Sequence, residues 1–388
     1  MKELVLDGGD VICVGALDLD QTPLGLIPRR LPAWTRPQIP DILMEVVVQM
    51  PSGVRLRCTT TSATIELDVL LTLLQVLPKD IRPATFDLLV NGDLVAQAST
   101  TDGNAFVLGP GGPGDITYRE GSPTTIVFDG LGTEEKVVEI WLPQAAVVAL
   151  RGMRVDDDAV TTAPPESGLP KWVHYGSSIS HCLEADSPIG TWPAVAARRA
   201  GVELLSLGLG GQCMLDQFVA RTIRDLPADA ISMKVGINVV NGDTMRERTF
   251  GPAVHGFLDT VREGHPDTSI LVVSPIFCPS AEERPGPTIM GPEGRYITVE
   301  GLDELRSTCL TLTRIRNMLR DIVADRSQRG DANLHYLDGL ELFGVDDAGD
   351  LPDALHPNAG GYARMGERFA QLAFAPGGPL AVAGLGSC

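Results

Sequence analysis

The sequence predicts an α/β protein in two parts, an all-β N-terminal half followed by a parallel sheet covered by helices on both faces. Two observations carry the prediction. Residues 1–155 show short strand-like runs separated by turn residues, with little helical periodicity. From residue 171 onward, apolar strand-like runs alternate with stretches of helical spacing, the pattern of βα units.

In the first half the strand-like runs are 43–50 (LMEVVVQM), 54–60, 63–71, 85–90, 93–99, 124–130 and 136–143. Asn91-Gly92 between two of them is a hairpin signal, because both residues tolerate positive φ. Many short strands with polar turns predict a β-sandwich, taken as an accessory domain over residues 1–155. A ligand-binding module is the alternative, although no row of exposed aromatics favours it. Residues 156–170 are acidic, then rich in Pro and Gly, and read as a linker to a catalytic domain at 171–388.

In that second domain the expected strands are 172–175, 202–207, 230–235, 269–276 and 333–338. Helices are expected at 213–226, 245–264, 302–328 and 360–374. Asp303 and Glu304 suit the positive end of the third helix, and Arg326 and Arg329 its negative end. Ligands of such a sheet bind beyond the C-terminal strand ends.

With 44% hydrophobic and 21% charged residues in 388, the chain can bury substantial cores. A net charge of −19 argues against nucleic acid and anionic membranes as partners, while leaving room for an anionic small substrate held by a local arginine cluster. No apolar run approaches the ~20 residues of a membrane span. The N-terminus has no charged start and apolar core of a signal peptide, so a cytoplasmic location is expected. Seven cysteines at 13, 58, 182, 213, 278, 309 and 388 lack CxxC spacing and read as reduced thiols.

The chemistry centres on KWVHYGSSISHC at 171–182. An apolar run leads into Gly176, a sharp turn and the hydroxyl of Ser178, where a following helix would aim backbone N–H groups at the site. Near the C-terminus Asp353 and His356 stand three apart, so His356 can serve as base to Ser178 and Asp353 can hold its tautomer. The N–H groups of Ser178 and Gly211 and the side-chain amide of Asn238, each just beyond a strand, are candidate oxyanion donors. His181 and Asn241 are candidate substrate contacts. His181 is also a weaker candidate base, and the run His181, Cys182, Glu184, Asp186 is too crowded and irregular for a metal site. Neither metal nor cofactor is expected. The long connection 277–300 is expected to line a substrate pocket. His255 and His265 read as surface residues.

GSSIS, SLGLGG, GIN and DALHP, in that order, resemble the four signature blocks of the SGNH (GDSL-like) hydrolase superfamily over roughly residues 171–375. The resemblance implies a flavodoxin-like three-layer α/β/α domain, Ser178 as nucleophile, His356 and Asp353 as its partners, and Gly211 and Asn238 as oxyanion donors. Ser177 departs from the family's frequent Asp before the serine. The layout of a β-sandwich ahead of this domain is similar to a bacterial subgroup that includes acyltransferases of antibiotic biosynthesis. That implies an aryl acyl-coenzyme A donor and a hydroxyl acceptor on a natural product such as a tetracycline-type polyketide. The alternative is an esterase acting on acyl esters of a carbohydrate or natural product. Arg306, Arg314, Arg316 and Arg320, placed on one long helix, are the candidate contacts for the donor's phosphates.

Overall fold

A computed structural model of the chain describes residues 1–6, 9–77, 80–109, 115–299, 301 and 303–381. Cys388, Glu300 and Leu302, which figure in the expectations above, lie outside the described residues. The chain divides into two compact units, Met1–Gly168 with Asp186–Ile189, and Leu169–Ala185 with Gly190–Cys388.

The N-terminal unit is built from two sheets, of eight and six strands among the described residues. The longest strand, Ile65–Val76, lies at the centre of the larger sheet, where it pairs with Ala146–Val155, Asn104–Leu108 and Thr124–Phe128. Arg55–Thr60, Lys136–Trp141 and Ala84–Val90 form the middle of the smaller one. Period-two alternation turns Leu67, Val69 and Leu71 inward, where they share a core with Phe86, Leu88, Val138 and Ile140. The Asn91-Gly92 hairpin forms with both residues at positive φ (51° and 90°).

One expected strand is a helix instead. Residues Ile42–Gln49 are α-helical, capped by Asp41, whose carboxylate accepts from Met44 N at 2.8 Å. The valine run suggested β-structure, but Met44, Val47 and Val48 are buried at helical spacing, and Glu45 bonds the fully buried Arg29 (3.0 Å). Nor is the expected linker free of regular structure, since Thr161–Thr162 pairs with Arg55–Thr60.

Among the described residues the C-terminal unit holds five parallel strands, β1 (Lys171–Gly176), β2 (Glu203–Gly208), β3 (Ala230–Lys234), β4 (Ser269–Val273) and β5 (Leu334–Leu337), in the order β2-β1-β3-β4-β5. This is the flavodoxin-like order, whose switch point falls between β1 and β3. The helices are α1 (Ser178–His181), α2 (Trp192–Ala200), α3 (Gln217–Asp225), α4 (Ile237–Asn241), α5 (Glu247–Gly264), α6 (Leu312–Gln328), α7 (Gly339–Leu342) and α8 (Ala359–Phe369).

Alternation along β1 fixes the layers. Trp172 packs against Trp192 of α2 and stacks on Phe369 of α8 (5.2 Å), while Tyr175, on the opposite face, stacks on Phe257 of α5 (5.2 Å, 8°). Helices α2 and α8 approach closely because residue 366 is glycine; a Cβ there would come within 2.6 Å of Val195 Cβ. The expected helix over 302–328 is broken. A 3-10 segment, Asp303–Thr308, precedes α6, which starts only after Thr311, whose hydroxyl accepts from Arg314 N. Asp303 and Glu304 therefore do not stand at the positive end of α6. His265 is buried, with Nε2 against the carbonyl of Ile223, and not on the surface. No helix among the described residues is long and apolar enough to cross a membrane.

Candidate active site

β1 ends at Gly176, and the chain turns directly into α1, with Ser177 as N-cap and Ser178 as first helical residue. The fully buried Ser177 accepts from Ile179 N (3.3 Å), so a hydroxyl caps the helix where the superfamily often has a carboxylate. Gly176 leaves room for Ser180, whose Oγ would lie 2.2 Å from a Cβ at that position. Ser180 in turn bonds His174 Nε2 (2.8 Å), and the other ring nitrogen of His174 bonds Ser232 (2.7 Å). Burial, helped by the nearby Lys234 cation, holds His174 down to about 3, so it is a neutral brace under the turn.

Ser178, His356 and Asp353 come together. Ser178 Oγ lies 2.9 Å from His356 Nε2, and His356 Nδ1 lies 2.8 Å from Asp353 Oδ2. The other oxygen of Asp353 accepts from the backbone N–H groups of Leu355 (2.9 Å) and His356 (2.7 Å). These bonds lock the carboxylate in place and set the imidazole tautomer with its proton on Nδ1. Burial disfavours the carboxylate form of Asp353, but the bonds from His356 and the loop outweigh it and hold its pKa below the usual value.

A second carboxylate was not foreseen from the sequence. Glu184 Oε1 lies 3.7 Å from His356 Nδ1, and Glu184 Oε2 accepts from the fully buried Tyr362 hydroxyl of α8 (2.9 Å). Burial disfavours the His356 cation, yet the charges of Glu184 and Asp353 outweigh burial and raise its pKa. The acid and imidazole groups that gather are thus Glu184, Asp353 and His356, not the His181–Asp186 run. Position 184 carried only one signal in the sequence, its place within one turn of the serine helix.

Three N–H donors are candidates for a developing negative charge. Gly211 sits at φ +71° in the turn after β2, a conformation that favours glycine. Asn238, 6% exposed, follows β3 at the switch point; its Oδ1 accepts from Cys213 N (3.0 Å), which assigns the side-chain Nδ2 as the outward donor. Among the described residues, Ser178 N, Gly211 N and Asn238 Nδ2 donate no hydrogen bond. Gly210 packs closely over the site, since a Cβ there would lie 3.2 Å from His181 Nδ1 and 3.8 Å from Ser178 Cβ.

The remaining expected residues fall outside this group. His181 is fully buried beneath Gly210. Asn241, at the end of α4, accepts from the Thr288 hydroxyl (3.0 Å). The connection 277–300 does reach the site: it forms a hairpin of Thr288–Met290 and Tyr296–Thr298, and Tyr296 lies edge-on to the His356 ring (5.6 Å). Of the arginines expected to meet phosphates, Arg316 is buried against Glu282 and the carbonyls of Pro275 and Ile276, and Arg314 donates to the carbonyls of Arg306, Ser307 and Cys309. Both are committed to the fold.

The serine at the end of β1, the glycine turn after β2, the asparagine after β3 and the histidine loop before α8 can now be set beside known proteins. A model described as the GDSL-like lipase/acylhydrolase family matches residues 174–364. Apart from Asp186–Ile189, the matched stretch lies within the C-terminal unit, which therefore resembles that family. The whole chain is similar to the solved structure of a salicylyl-acyltransferase from a tetracycline biosynthetic pathway, at 27% identity and TM-score 0.79, covering 95% of both chains. It shares its fold with a protein from Bacteroides ovatus described as a GDSL-like lipase (21% identity, TM-score 0.66, 93% of this chain and 94% of that one). The same holds for a family two carbohydrate esterase from Clostridium thermocellum (14%, 0.59, 94% and 97%). Among curated proteins there is no match. The match to the GDSL-like model and the acyltransferase likeness support an enzyme of acyl transfer or acyl-ester hydrolysis.

Proposed function

We propose that the chain is an acyltransferase that works through an acyl-enzyme on Ser178, moving an aryl acyl group from a coenzyme A thioester to a hydroxyl of a small natural product such as a tetracycline-type polyketide. The observation that carries the reading is the hydrogen-bonded series Asp353–His356–Ser178. The full-length likeness to a salicylyl-acyltransferase supports the choice of donor and acceptor.

In this reading Ser178 Oγ attacks the thioester carbonyl while His356 Nε2 takes its proton. Asp353 keeps Nδ1–H directed away from the serine and, with Glu184, stabilises the imidazolium. The oxyanion meets Ser178 N, Gly211 N and Asn238 Nδ2, each worth about 3–4 kcal/mol if aligned. Collapse expels the thiolate, which takes the proton from His356. The acceptor hydroxyl then gives its proton to His356 and attacks the acyl carbon, and Ser178 leaves with that proton. The Tyr296 hairpin is the element placed to shield the acyl-enzyme from water, and His181 supports the turn from beneath while Asn241 anchors the hairpin.

Intact-protein mass after mixing with benzoyl-coenzyme A, without acceptor, tests this beside Ser178→Ala. A lasting added acyl mass on the wild type alone supports the transferase. Coenzyme A release without accumulated adduct, lost in the variant, favours the esterase alternative. Neither adduct nor release would overturn the assignment of the donor.

A further inference from the structure

We infer that the arginine-lined cleft beside α4 is an anion subsite that binds the phosphate-bearing end of the acyl donor. This rests on the acyl-transfer reading above and names where the donor's charge is held. The cleft, about 100 Å³ in volume, is lined by Asp243, Arg246, Arg284 and Arg306, with Pro287 and Leu305 among its apolar walls. Among the described lining residues there are three arginines and one carboxylate, Asp243, which Arg246 engages at 3.0 Å. Arg284 is exposed and makes no hydrogen bond or ion pair among the described residues. In a chain of net charge −19 such a local excess of cations runs against the overall field, so any affinity for a polyanion must be built locally. Guanidiniums suit phosphate because their planar forks bond two oxygens at once.

The cleft is joined to the reacting serine through two segments. Helix α4 begins beside Asn238's neighbour Ile237 and ends at Asn241, and Asp243 and Arg246 follow it directly. The connection that supplies Arg284 and Pro287 also supplies Tyr296, which touches His356. Between them Gly286 lies so close to α4 that a Cβ would meet the Val240 carbonyl at 1.9 Å. This fixes the cleft wall on the element that carries a candidate oxyanion donor. A ligand held by phosphate there can extend its other end along α4 toward Ser178. The arginines that serve this end are Arg246, Arg284 and Arg306, in place of Arg314 and Arg316.

Two measurements on the full chain test it. In the first, inorganic pyrophosphate is titrated into the Ser178→Ala protein by calorimetry, with and without Arg284→Ala and Arg306→Ala. Loss of these two cations is expected to weaken binding about ten-fold or more, and Arg284→Lys to restore part of it. No binding, or binding that the substitutions leave unchanged, overturns the subsite. In the second, acylation of Ser178 by benzoyl-coenzyme A is compared with acylation by a short uncharged benzoyl thioester. The double variant is expected to need about ten-fold more coenzyme A thioester for half-maximal acylation, with the uncharged thioester unaffected. An equal effect on both donors, or on neither, counts against the subsite. Failure of both donors to acylate wild-type Ser178 would refute the acyl-transfer reading itself, while the pyrophosphate titration still decides the cleft.

Discussion

Replacing Glu184 by Gln isolates the charge that the second carboxylate places beside the histidine. Glutamine keeps an oxygen for the Tyr362 hydroxyl, so the local bond survives while the charge goes. At 3.7 Å, two unit charges attract by about 1 kcal/mol at the dielectric of water and about 4 kcal/mol at an effective value of 20. The Glu184 side chain is 21% exposed, so solvent screening favours the lower end. His356 is faced by Asp353 from its own loop, by Glu184 after α1, by Tyr296 from the hairpin and by Ser178, and only the two carboxylates carry charge of sign to raise it. Removing one of them lowers the pKa of His356, and the acid limb of kcat/KM moves to lower pH. Well below that limb the neutral imidazole fraction, and with it kcat/KM, rises about five-fold for each 1 kcal/mol removed, while the plateau does not rise. Stability gives a second readout. A raised histidine pKa stabilises the folded state below the ordinary value of 6.5 and loses that contribution as pH rises through the folded value. Glu184→Gln should therefore lower Tm more at pH 5 than at pH 9. A pH–rate limb that stays in place, with Tm lowered equally at both pH values, would refute the electrostatic role and leave Glu184 a packing residue.

Ser178→Ala is expected to reduce turnover at least about 10⁴-fold and to abolish labelling by a fluorophosphonate, with Tm nearly unchanged; retained labelling would place the nucleophile elsewhere. Asn238→Ala should cost about 10²–10³ in kcat. It also strands the buried Cys213 N–H, so a Tm loss of a few degrees should accompany it. Trp172→Ala, at a fully buried ring packed among Trp192, Phe369 and Phe374, should destabilise the C-terminal unit by about 3–5 kcal/mol in denaturant titration. Asp41→Ala, which removes the helix cap in the N-terminal unit, should cost about 1 kcal/mol without changing kcat.

What could be read from the sequence follows from the range of the interactions involved. The strands of the parallel sheet were legible because burial on both faces makes each a continuous apolar run, and the hairpin at Asn91-Gly92 because its φ demand is local. Helix Ile42–Gln49 was misread because three consecutive valines carry β-propensity, while what decides it is a cap at Asp41 and burial of Met44, Val47 and Val48 against the sheet. The break before α6 was hidden for a similar reason: Thr311 is a good cap, but nothing in the periodicity of 302–328 marks where the helix must restart. At the site, Ser178, Gly211, Asn238 and the Asp353–His356 pair each sit in a short block whose chemistry is visible in a few residues. Glu184 has no such block. Its effect depends on Tyr362, 178 positions away, and on the loop of His356, which only the folded sheet brings to the end of α1. The same logic separates the arginines. Arg314 and Arg316 looked available because they share a helix with charged neighbours. Folding spends them on carbonyls and Glu282, and leaves Arg284, on a loop with no helical pattern, as an exposed cation of the cleft. A charge on a helix can be predicted from its neighbours at i and i+4, but whether it remains available to a ligand depends on which carbonyls and carboxylates the tertiary fold sets beside it.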